Sequence, residues 1–467
     1  MFKVFSQYFP AKALFLAITE TVLISGSLVG AVYLHYYADP FLLDETILAP
    51  YFAARLGFCV LLCQICFYYN DLYDLTTVCR RSELAIRLIQ SVGMWTLLLT
   101  ATYVVYPEAL FGQWVLVGGI ILVLVVIPLW REGIGRFGFL FQSRERILIL
   151  GTGQIGIDLC RKLLMRNDLN FDIVGFLGET QEQVGERLVN PSVIGTINNL
   201  PAIVSREGIS RVVVSLADRR GRLPVRDLLN LRLQGVTVED GHTLYEKVAG
   251  RISLDSVNPS WLIFSDGFRK FRGHALLKRG FDVLLASAGI LSTFPIMAIA
   301  AICIKLDSKG PVLFRQERVG QFGRVFTLFK FRSMTLGAEK GGVPLWAKQD
   351  DHRITRVGAI IRSYRVDELP QFFNILFGDM SFVGPRPERP FFVEKLEKSL
   401  KYYPERHVVK PGLTGWAQVQ FPYASTEEET REKLEYDFFY IKNASLLFDL
   451  AIIFQTVKTV LFARGAR

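Results

Sequence analysis

The chain has 467 residues, and its apolar composition and positive charge limit the classes of protein it can belong to. Hydrophobic residues make up 51% of the chain and the mean hydropathy is +0.29, which is high for a soluble protein and indicates membrane segments. The formal net charge of +10 suits an anionic membrane surface, nucleotide phosphates or nucleic acid. No zinc-finger, RNP or helix-turn-helix pattern is present, so we expect no nucleic-acid partner.

Four apolar segments occupy the first third of the chain, and each has about the 20 residues that a spanning helix requires. The loop at 35–47 carries only acidic charges, whereas the next loop and the segment after the fourth run are rich in arginine. By the positive-inside rule, the N-terminus and everything after residue 131 begin in the cytoplasm. We therefore predict a four-helix transmembrane domain over 1–135, with apolar segments at 13–34, 49–69, 86–106 and 113–130.

Four residues within these runs have both a functional and a structural explanation. Cys63 and Cys66 form a C-x-x-C pair, but there is no second pair and no nearby histidine, so small apolar residues of a helix are the favoured interpretation. Glu20 and Arg55 would mark a site if functional, but charged groups in such runs more often face the helix bundle or lie near a helix end.

A Rossmann-like parallel α/β domain is predicted over 144–248. Buried strands at 146–150, 171–177 and 211–215 alternate with helical segments, which is typical of a parallel sheet. Gly151, Gly153 and Gly156 follow the first strand and open a helix, as in the dinucleotide-binding fingerprint, and they form a candidate ligand loop.

The evidence for a working dinucleotide site is nevertheless weak. The acidic partner, Glu179, comes later than the usual spacing of about 20 residues. No Tyr-x-x-x-Lys pair is present to serve a reductase or epimerase. A structural or ligand-sensing domain is favoured over an NAD-dependent one, and a membrane-anchored nucleotide-sugar oxidoreductase remains a rival hypothesis.

A polar, basic linker at 249–274 precedes a fifth apolar run at about 282–304. Both flanks of this run are basic, so a simple crossing would place one basic flank outside. Pro295 lies near its middle and would kink or break the helix. We predict a re-entrant hairpin over 279–305 that enters and leaves on the cytoplasmic side, with a single span as the alternative. The apolar C-terminal segment 445–462 is interrupted by charges and predicts an interfacial amphipathic helix.

An adjacent carboxylate pair, Asp367 and Glu368, stands out in the C-terminal region. Pro370 belongs in the first turn of a helix, which would place Asp367 near the N-cap, where the helix dipole holds it ionised and favours a bound phosphate. An ionised carboxylate can attack phosphorus if cations screen the phosphate charge. An ordinary capping aspartate is the alternative explanation.

Basic residues around this pair provide candidate phosphate ligands. A rigid turn, Gly384-Pro385-Arg386-Pro387, presents one arginine, which is suited to bidentate phosphate binding. Basic residues beside a membrane hairpin would also contact lipid headgroups, but that alone does not explain the carboxylate pair and the arginine turn together. The other candidate residues for substrate phosphate or nucleotide are Lys330, Arg332, Arg318, Arg362 and Gln371.

Residues 275–467 resemble the bacterial sugar transferase family, the monotopic polyprenyl-phosphate glycosyl-1-phosphate transferases. The four helices and the α/β domain are similar to the long, exopolysaccharide-initiating members. Many members break the hairpin helix at Ser-Pro, whereas here Ser292 is displaced from Pro295 and only the proline is retained. The matching motifs occur in order: Lys278-Arg279-Gly-Phe-Asp282, Gly310-Pro311-Val, Lys330-Phe-Arg332-Ser-Met, Asp367-Glu368-Leu-Pro-Gln, Gly384-Pro-Arg-Pro387 and Lys410-Pro-Gly-Leu-Thr-Gly.

The resemblance implies an enzyme that transfers a hexose-1-phosphate from a UDP-sugar to undecaprenyl phosphate in two steps. Asp367 matches the nucleophile, which would form an aspartyl-phosphosugar intermediate as UMP leaves. Glu368 matches its partner, and both would hold Mg²⁺, while Arg386 would hold donor phosphate. UDP-glucose or UDP-galactose is the expected donor, from the likeness to long members.

The same resemblance implies a multi-pass protein of the bacterial inner membrane whose catalytic domain, 275–467, faces the cytoplasm and membrane lipid. It would catalyse the first membrane step of exopolysaccharide synthesis, and it leaves a homodimer open. A non-catalytic membrane scaffold is the rival from another class. That hypothesis predicts a broken carboxylate pair or a missing arginine turn, and the sequence has both features intact.

Overall fold

A computed structural model describes the protein at residues 2–4, 7–9, 11–75, 81–137, 144–216, 222–254, 272–335, 353–421 and 426–461. The chain divides into two compact units, Met1–Leu244 and Tyr245–Arg467. Most of the predicted linker at 249–274 lies outside the described residues.

The first unit begins with a short antiparallel hairpin of β1 (Phe2–Val4) and β2 (Gln7–Phe9), followed by helices. The four predicted apolar segments all form helices, and α2 is an additional short helix in the acidic loop. The bounds are α1 Ala11–His35, α2 Pro40–Leu48, α3 Phe52–Tyr69, α4 Arg81–Val105 and α5 Gln113–Phe137.

Five helices in the described part of the chain are long and apolar enough to cross a membrane. This finding supports a membrane protein with an α/β component. The candidate spans are Ala13–His35, Phe52–Tyr69, Ser82–Val105, Gln113–Ile134 and Ala275–Asp307.

The polar residues within the apolar helices are satisfied by neighbouring groups. Glu20 is fully buried and accepts hydrogen bonds from Arg131 Nε at 2.6 Å and from the Tyr73 hydroxyl at 2.8 Å. Arg55 donates to the Glu108 carbonyl at 2.9 Å. Cys63 is a buried free cysteine of α3, as is Cys66. These contacts agree with the structural explanation for all four residues.

A five-stranded parallel sheet follows, in the order β5-β4-β3-β6-β7. It confirms the predicted parallel α/β architecture, and the glycine pattern runs from the end of β3 into the first turn of α6. The strands are β3 Glu145–Leu150, β4 Phe171–Gly178, β5 Val193–Thr196, β6 Arg211–Val214 and β7 Thr237–Asp240. The helices are α6 Gln154–Met165, α7 Leu200–Glu207, α8 Val225–Leu233 and α9 Gly241–Ala249.

The second unit is built around a long helix, α10, with small strand pairs and short helices. The boundary between the units falls within α9. The helices are α10 Arg272–Asp307, α11 Arg356–Ser363, α12 Gln371–Phe377, α13 Pro390–Ser399, α14 Trp416–Gln420, α15 Glu427–Asn443 and α16 Leu446–Leu461. The strands are β8 Leu313–Val319, β9 Val325–Phe331, β10 Ser381–Val383 and β11 Gly412–Thr414.

Helix α10 is assigned as one helix that runs through Pro295. The Thr293 hydroxyl donates to the Gly289 carbonyl at 2.6 Å, and the Ser292 hydroxyl donates to the same carbonyl at 3.2 Å. Side-chain hydroxyls therefore bond to the backbone of the turn just before the proline.

A small core joins α10, α12 and β9 and fixes the position of the carboxylate turn. Ala286, Leu328, Phe372 and Ile375 pack together in it. Asn374 is fully buried and ties α12 to β9, because it accepts from the Phe329 amide at 3.0 Å and donates to the Thr327 carbonyl at 2.7 Å. The start of α12 thereby lies close to Lys330 at the end of β9.

Candidate active site

The predicted carboxylate pair lies in a 3-10 turn, Val366–Glu368, between α11 and α12. Arg365, which precedes it, has a left-handed backbone with φ of 54°. Pro370 is the N-cap residue of α12 and makes no side-chain cap. The prediction that Asp367 lies near the N-cap is therefore corrected: it lies three residues before it, in a separate turn.

Glu368 is held by three cations. Its Oε1 lies 3.0 Å from Lys330 Nζ and 3.4 Å from an Arg386 terminal nitrogen, and its Oε2 lies 3.7 Å from Arg365. Burial acts to raise the pKa of Glu368, but the neighbouring Lys330 and Arg386 outweigh it and lower that pKa well below the ordinary value. Glu368 is therefore a firmly ionised anchor for the surrounding cations.

Asp367 has the opposite environment, although it is the adjacent residue. Within the described residues, no hydrogen bond or ion pair engages its carboxylate. Burial raises the pKa of Asp367, and Glu368 adds to the effect, while Lys330 and Arg362 oppose it. The Asp367 carboxylate oxygens therefore have no hydrogen-bond partner among the described residues and are partly buried. This differs from the prediction that a helix dipole holds Asp367 ionised, because burial instead raises its pKa.

The arginine turn is held mainly by its backbone, which leaves the Arg386 side chain free to face the carboxylates. Arg406 donates to the Arg386 carbonyl at 3.2 Å, and Arg318 donates to the Pro387 carbonyl at 3.0 Å. The Gly412 amide donates to Pro385, and the Gly384 amide donates to Thr414, each at 2.9 Å. Five of the predicted residues, the four of this turn and Arg318, therefore form one rigid unit.

The site opens into a small pocket beside Glu368. Lys330, Arg318, Arg386 and Gln371 contribute to its lining, so the structure brings together most of the predicted phosphate-binding residues. Arg362 lies on α11 on the Asp367 side, where its charge acts on that carboxylate. The full lining is Arg318, Leu328, Lys330, Glu368, Gln371, Arg386, Pro387, Gly412 and Leu413.

Arg332 is one predicted phosphate ligand that is used elsewhere. Its buried guanidinium donates to the carbonyls of Lys309 at 3.1 Å and Ser308 at 2.7 Å and to the Ser308 hydroxyl at 2.8 Å. These bonds secure the chain that leaves α10, so Arg332 acts in the structure as a backbone clamp.

The predicted hairpin residues also have structural contacts. Lys278 pairs with Asp449 at 2.6 Å, and Arg279 donates to the carbonyls of Ile375 at 2.6 Å and Leu376 at 2.7 Å. Both residues therefore join the base of α10 to the rest of the second unit.

The glycine loop belongs to the first unit and is closely packed. A Cβ at Gly156 would lie 2.7 Å from the Ser215 hydroxyl, so close helix–strand packing requires glycine there. Glu179, the acidic residue considered as partner of a dinucleotide site, pairs with Arg222.

Two residues that support the arginine turn, Arg406 and Asp437, were not identified from the sequence. Arg406 is buried and contacts Asp437 Oδ2 at 2.7 Å and the Tyr403 hydroxyl at 2.8 Å. The available signal was Asp437 itself, a charged residue set among aromatic residues in the second half of α15, which is buried. A buried charge of this kind requires a buried partner, but the sequence does not identify which arginine supplies it.

The carboxylate pair is compatible with Mg²⁺. No group of three or more metal-ligating side chains occurs within the described residues. Mg²⁺ does not need one, because it commonly binds one or two carboxylates together with substrate phosphates and waters. Within the described residues Asp367 offers an uncommitted carboxylate, and Glu368 Oε2 lies 3.7 Å from Arg365.

Comparison with known proteins adds independent findings. A family model described as bacterial sugar transferase matches residues 273–463. The chain is 31% identical over 341 residues to a UDP-glucose:undecaprenyl-phosphate glucose-1-phosphate transferase of Klebsiella pneumoniae, covering 72% of this chain and 71% of that protein.

Two further relatives match over shorter parts of their length. The chain is 43% identical over 242 residues to a UDP-N-acetylgalactosamine-undecaprenyl-phosphate N-acetylgalactosaminephosphotransferase of Aeromonas hydrophila, covering 52% of this chain and 56% of that protein. It is 32% identical over 337 residues to an undecaprenyl-phosphate glucose phosphotransferase of Komagataeibacter xylinus, covering 69% of this chain and 60% of that protein. The chain thus spans a little over half the length of these two relatives.

Proposed function

The chain belongs to the bacterial sugar transferase family, and from this premise we propose that it transfers a sugar-1-phosphate from a UDP-sugar to undecaprenyl phosphate. The observation that carries the proposal is the contrast within the carboxylate pair. Glu368 is neutralised by Lys330, Arg386 and Arg365, whereas Asp367 beside it has no described partner. A nucleophile must have free oxygens in a cationic environment, and Asp367 meets both conditions.

In the first step, an Asp367 carboxylate oxygen attacks the β-phosphorus of the donor. The new bond to the aspartate forms as the bond to the bridging oxygen breaks, and UMP leaves with that electron pair. In the second step, a phosphate oxygen of the acceptor lipid attacks the same phosphorus. The bond to Asp367 breaks, the free carboxylate is restored, and the lipid carries the sugar linked through a diphosphate.

The residues around the pair have distinct roles in these steps. Lys330, Arg386 and Arg318 line the pocket and would bind the diphosphate oxygens, whose negative charge otherwise repels the carboxylate. Glu368 orients two of these cations, Lys330 and Arg386, through ion pairs. Mg²⁺ held by Asp367 and Glu368 would neutralise diphosphate charge and stabilise the departing UMP.

The membrane arrangement is part of the proposal. The distribution of arginine in the loops supports cytoplasmic placement of everything after residue 131, with four spans before it. The basic flanks of α10 and its internal Pro295 support a re-entrant passage, which would hold the active site at the inner-membrane surface where the acceptor phosphate lies. The reaction would then be the first membrane step of exopolysaccharide synthesis.

The sugar is best sought among the donors that the relatives' names give, together with the galactose donor suggested by the sequence. The relatives are named for glucose and for N-acetylgalactosamine. The decisive experiment is UMP release by purified full-length protein with Mg²⁺, undecaprenyl phosphate and, in turn, UDP-glucose, UDP-galactose and UDP-N-acetylgalactosamine.

We expect UMP from one donor and complete loss of it in Asp367→Asn, with Asp44→Asn on the exposed helix α2 as the control. Full activity of Asp367→Asn would refute the nucleophile assignment. No UMP from any donor, in protein shown to be folded, would favour the scaffold hypothesis. Reduction of NAD on any donor would instead favour the oxidoreductase.

A further inference from the structure

A second cationic cluster lies at the base of α10, apart from the carboxylate pair. Arg279 caps the C-terminal end of α12 through the carbonyls of Ile375 and Leu376, and two of its five N–H donors are used in these bonds. The carboxylate turn precedes the opposite end of α12, and the helix has seven residues. About 10 Å of helix rise therefore separates the two places.

Lys410 brings a second cation to the same place. A Cβ built on Gly378 would lie 3.6 Å from Lys410 Nζ and 3.6 Å from an Arg279 terminal nitrogen. At most twice that distance therefore separates the two nitrogens. One phosphate group can bridge such cations with charge-assisted hydrogen bonds of about 2.8 Å.

Gly378 keeps the space between the two cations open. It has φ of 95°, in the region that favours glycine, and it ends α12. Any side chain there would point between Arg279 and Lys410, so the backbone conformation and the opening depend on the same residue.

The nearby carboxylates Asp282 and Asp379 act to raise the pKa of Lys410, but burial and Arg279 outweigh them. Asp282 is buried and accepts from the Ser381 hydroxyl at 3.0 Å and from the Phe382 amide at 2.9 Å. Asp379 is exposed, and in the described part of the chain neither acid forms an ion pair with Lys410. Burial lowers the pKa of Lys410, and repulsion from Arg279 adds to this effect.

Several apolar residues close in sequence to the two cations are exposed. Leu276 and Leu277 of α10 are 76% and 64% exposed, Phe377 beside Gly378 is 69% exposed, and Val408 near Lys410 is 51% exposed. Helix α10 is itself apolar enough to enter a membrane. Two cations with exposed apolar residues beside them in the chain are typical of a protein surface at the lipid headgroup level.

We propose that Lys410 and Arg279, with the opening at Gly378 between them, form a binding site for the phosphate group of a membrane lipid, separate from the carboxylate site. The phosphate accepts from the Lys410 ammonium and from the remaining donors of Arg279, while the lipid chains lie along the exposed leucines of α10. Two sources share this chemistry: the headgroup of a phospholipid, and a polyprenyl phosphate held before it reaches the active site. The site does not depend on which sugar is transferred.

The test measures lipid binding to full-length detergent-solubilised protein by native mass spectrometry. The probes are phosphatidylglycerol, undecaprenyl phosphate and dioleoylglycerol, which has no phosphate. We expect Lys410→Gln to weaken binding of at least one phosphate lipid by about 10-fold, as expected for loss of one charge-assisted hydrogen bond, and to leave dioleoylglycerol unchanged. Lys410→Arg, which keeps the charge, should restore binding, and the exposed Lys398→Gln should bind as the wild type does.

The result identifies the source. A loss confined to phosphatidylglycerol assigns a phospholipid headgroup, and a loss confined to undecaprenyl phosphate assigns the acceptor lipid. Unchanged binding of both in Lys410→Gln overturns the site. A measurement on the wild type alone covers the case in which the variant fails to fold. If the wild type retains dioleoylglycerol as strongly as the phosphate lipids, the proposed site is also overturned. Binding is read without turnover, so this result is independent of the UMP assay.

Discussion

The glycine loop of the first unit and the carboxylate turn of the second unit both resemble phosphate sites in sequence, but they distribute charge differently. At the glycine loop, Glu179 pairs with Arg222, and Gly156 serves close packing against Ser215. At the carboxylate turn, three cations share Glu368, and Asp367 has no described partner. In this protein, a buried carboxylate without a described partner among cations distinguishes the candidate active site, whereas a phosphate-binding motif alone does not.

After Asp367→Asn, the largest effect is expected from Glu368→Gln, which removes the anchor of the cations. Lys330, Arg386 and Arg365 would lose their common partner and the geometry that faces the donor phosphates. We expect UMP release to fall by roughly 100-fold, the usual cost of losing one preorganised electrostatic contact. Glu394→Gln on the exposed face of α13 is the control, and a loss of less than threefold in Glu368→Gln would contradict the anchor role.

Arg406→Gln should be next in size, because Arg406 positions the arginine turn without lining the pocket. It contacts the Arg386 carbonyl at 3.2 Å and Asp437 at 2.7 Å, so its loss leaves a buried carboxylate unpaired. We expect a stability cost of about 3 kcal/mol. We also expect KM for the UDP-sugar to rise by roughly 10-fold with a smaller change in kcat, since donor binding is what a displaced Arg386 would weaken.

Thermal unfolding and steady-state kinetics of the same preparation measure both effects. Asp437→Asn should show the same split between KM and kcat, since it removes the other half of the pair. A lowered melting temperature with unchanged KM would show that Arg406 is purely structural.

The pH dependence should report the environment of Asp367. Burial, with a contribution from Glu368, raises the pKa of Asp367 in spite of Lys330. The nucleophile is the deprotonated form, so UMP release is lost as pH falls through this raised pKa. We expect the acid limb of kcat/KM to lie above the ordinary aspartate value of about 3.9, with about tenfold loss for each further pH unit.

Glu368→Gln removes a negative charge beside Asp367 and so should lower the pKa of Asp367. The acid limb of kcat/KM should then lie at lower pH in this variant than in the wild type. A limb in Glu368→Gln at the wild-type position or higher would show that a different group controls the pH profile.

The elements that the sequence predicted well are those with a strong local pattern. The four apolar segments, the parallel strands and the glycine turn before α6 follow from hydropathy and spacing, because burial and backbone geometry are encoded locally. The motif residues of the arginine turn and the carboxylate turn were also identified as candidates. The side chains that contact these residues were not identified as their partners, because α15 and β9 are distant in sequence from both turns.

Arg332 and Arg406 show why the side-chain contacts could not be predicted from the sequence. Both are arginines near motif residues, yet one clamps carbonyls after α10 and the other supports Arg386. Only tertiary packing decides which carbonyl a buried guanidinium faces. The position of Asp367 before the N-cap has the same origin, because Pro370 begins α12 only after an intervening 3-10 turn.

Gly156→Ala tests the packing role of the glycine loop. A Cβ there would lie 2.7 Å from the Ser215 hydroxyl, so overpacking should destabilise the first unit by about 1–3 kcal/mol. UMP release per folded molecule should change by less than about threefold, if this loop holds no substrate. Gly133→Ala, where a Cβ would meet nothing within 4 Å, is the matched control for thermal unfolding.

Arg222→Gln should have the smallest effect, and it completes the comparison of the two regions. The Arg222 side chain is 59% exposed, so its pair with Glu179 should contribute no more than about 1 kcal/mol. If the pair is only a surface contact, both the melting temperature and UMP release should equal those of the wild type. A clear loss of UMP release at unchanged stability would instead mean that the charges beside the glycine loop act on catalysis. The α/β domain would then be a regulatory ligand site, and the packing explanation for its glycines would be incomplete.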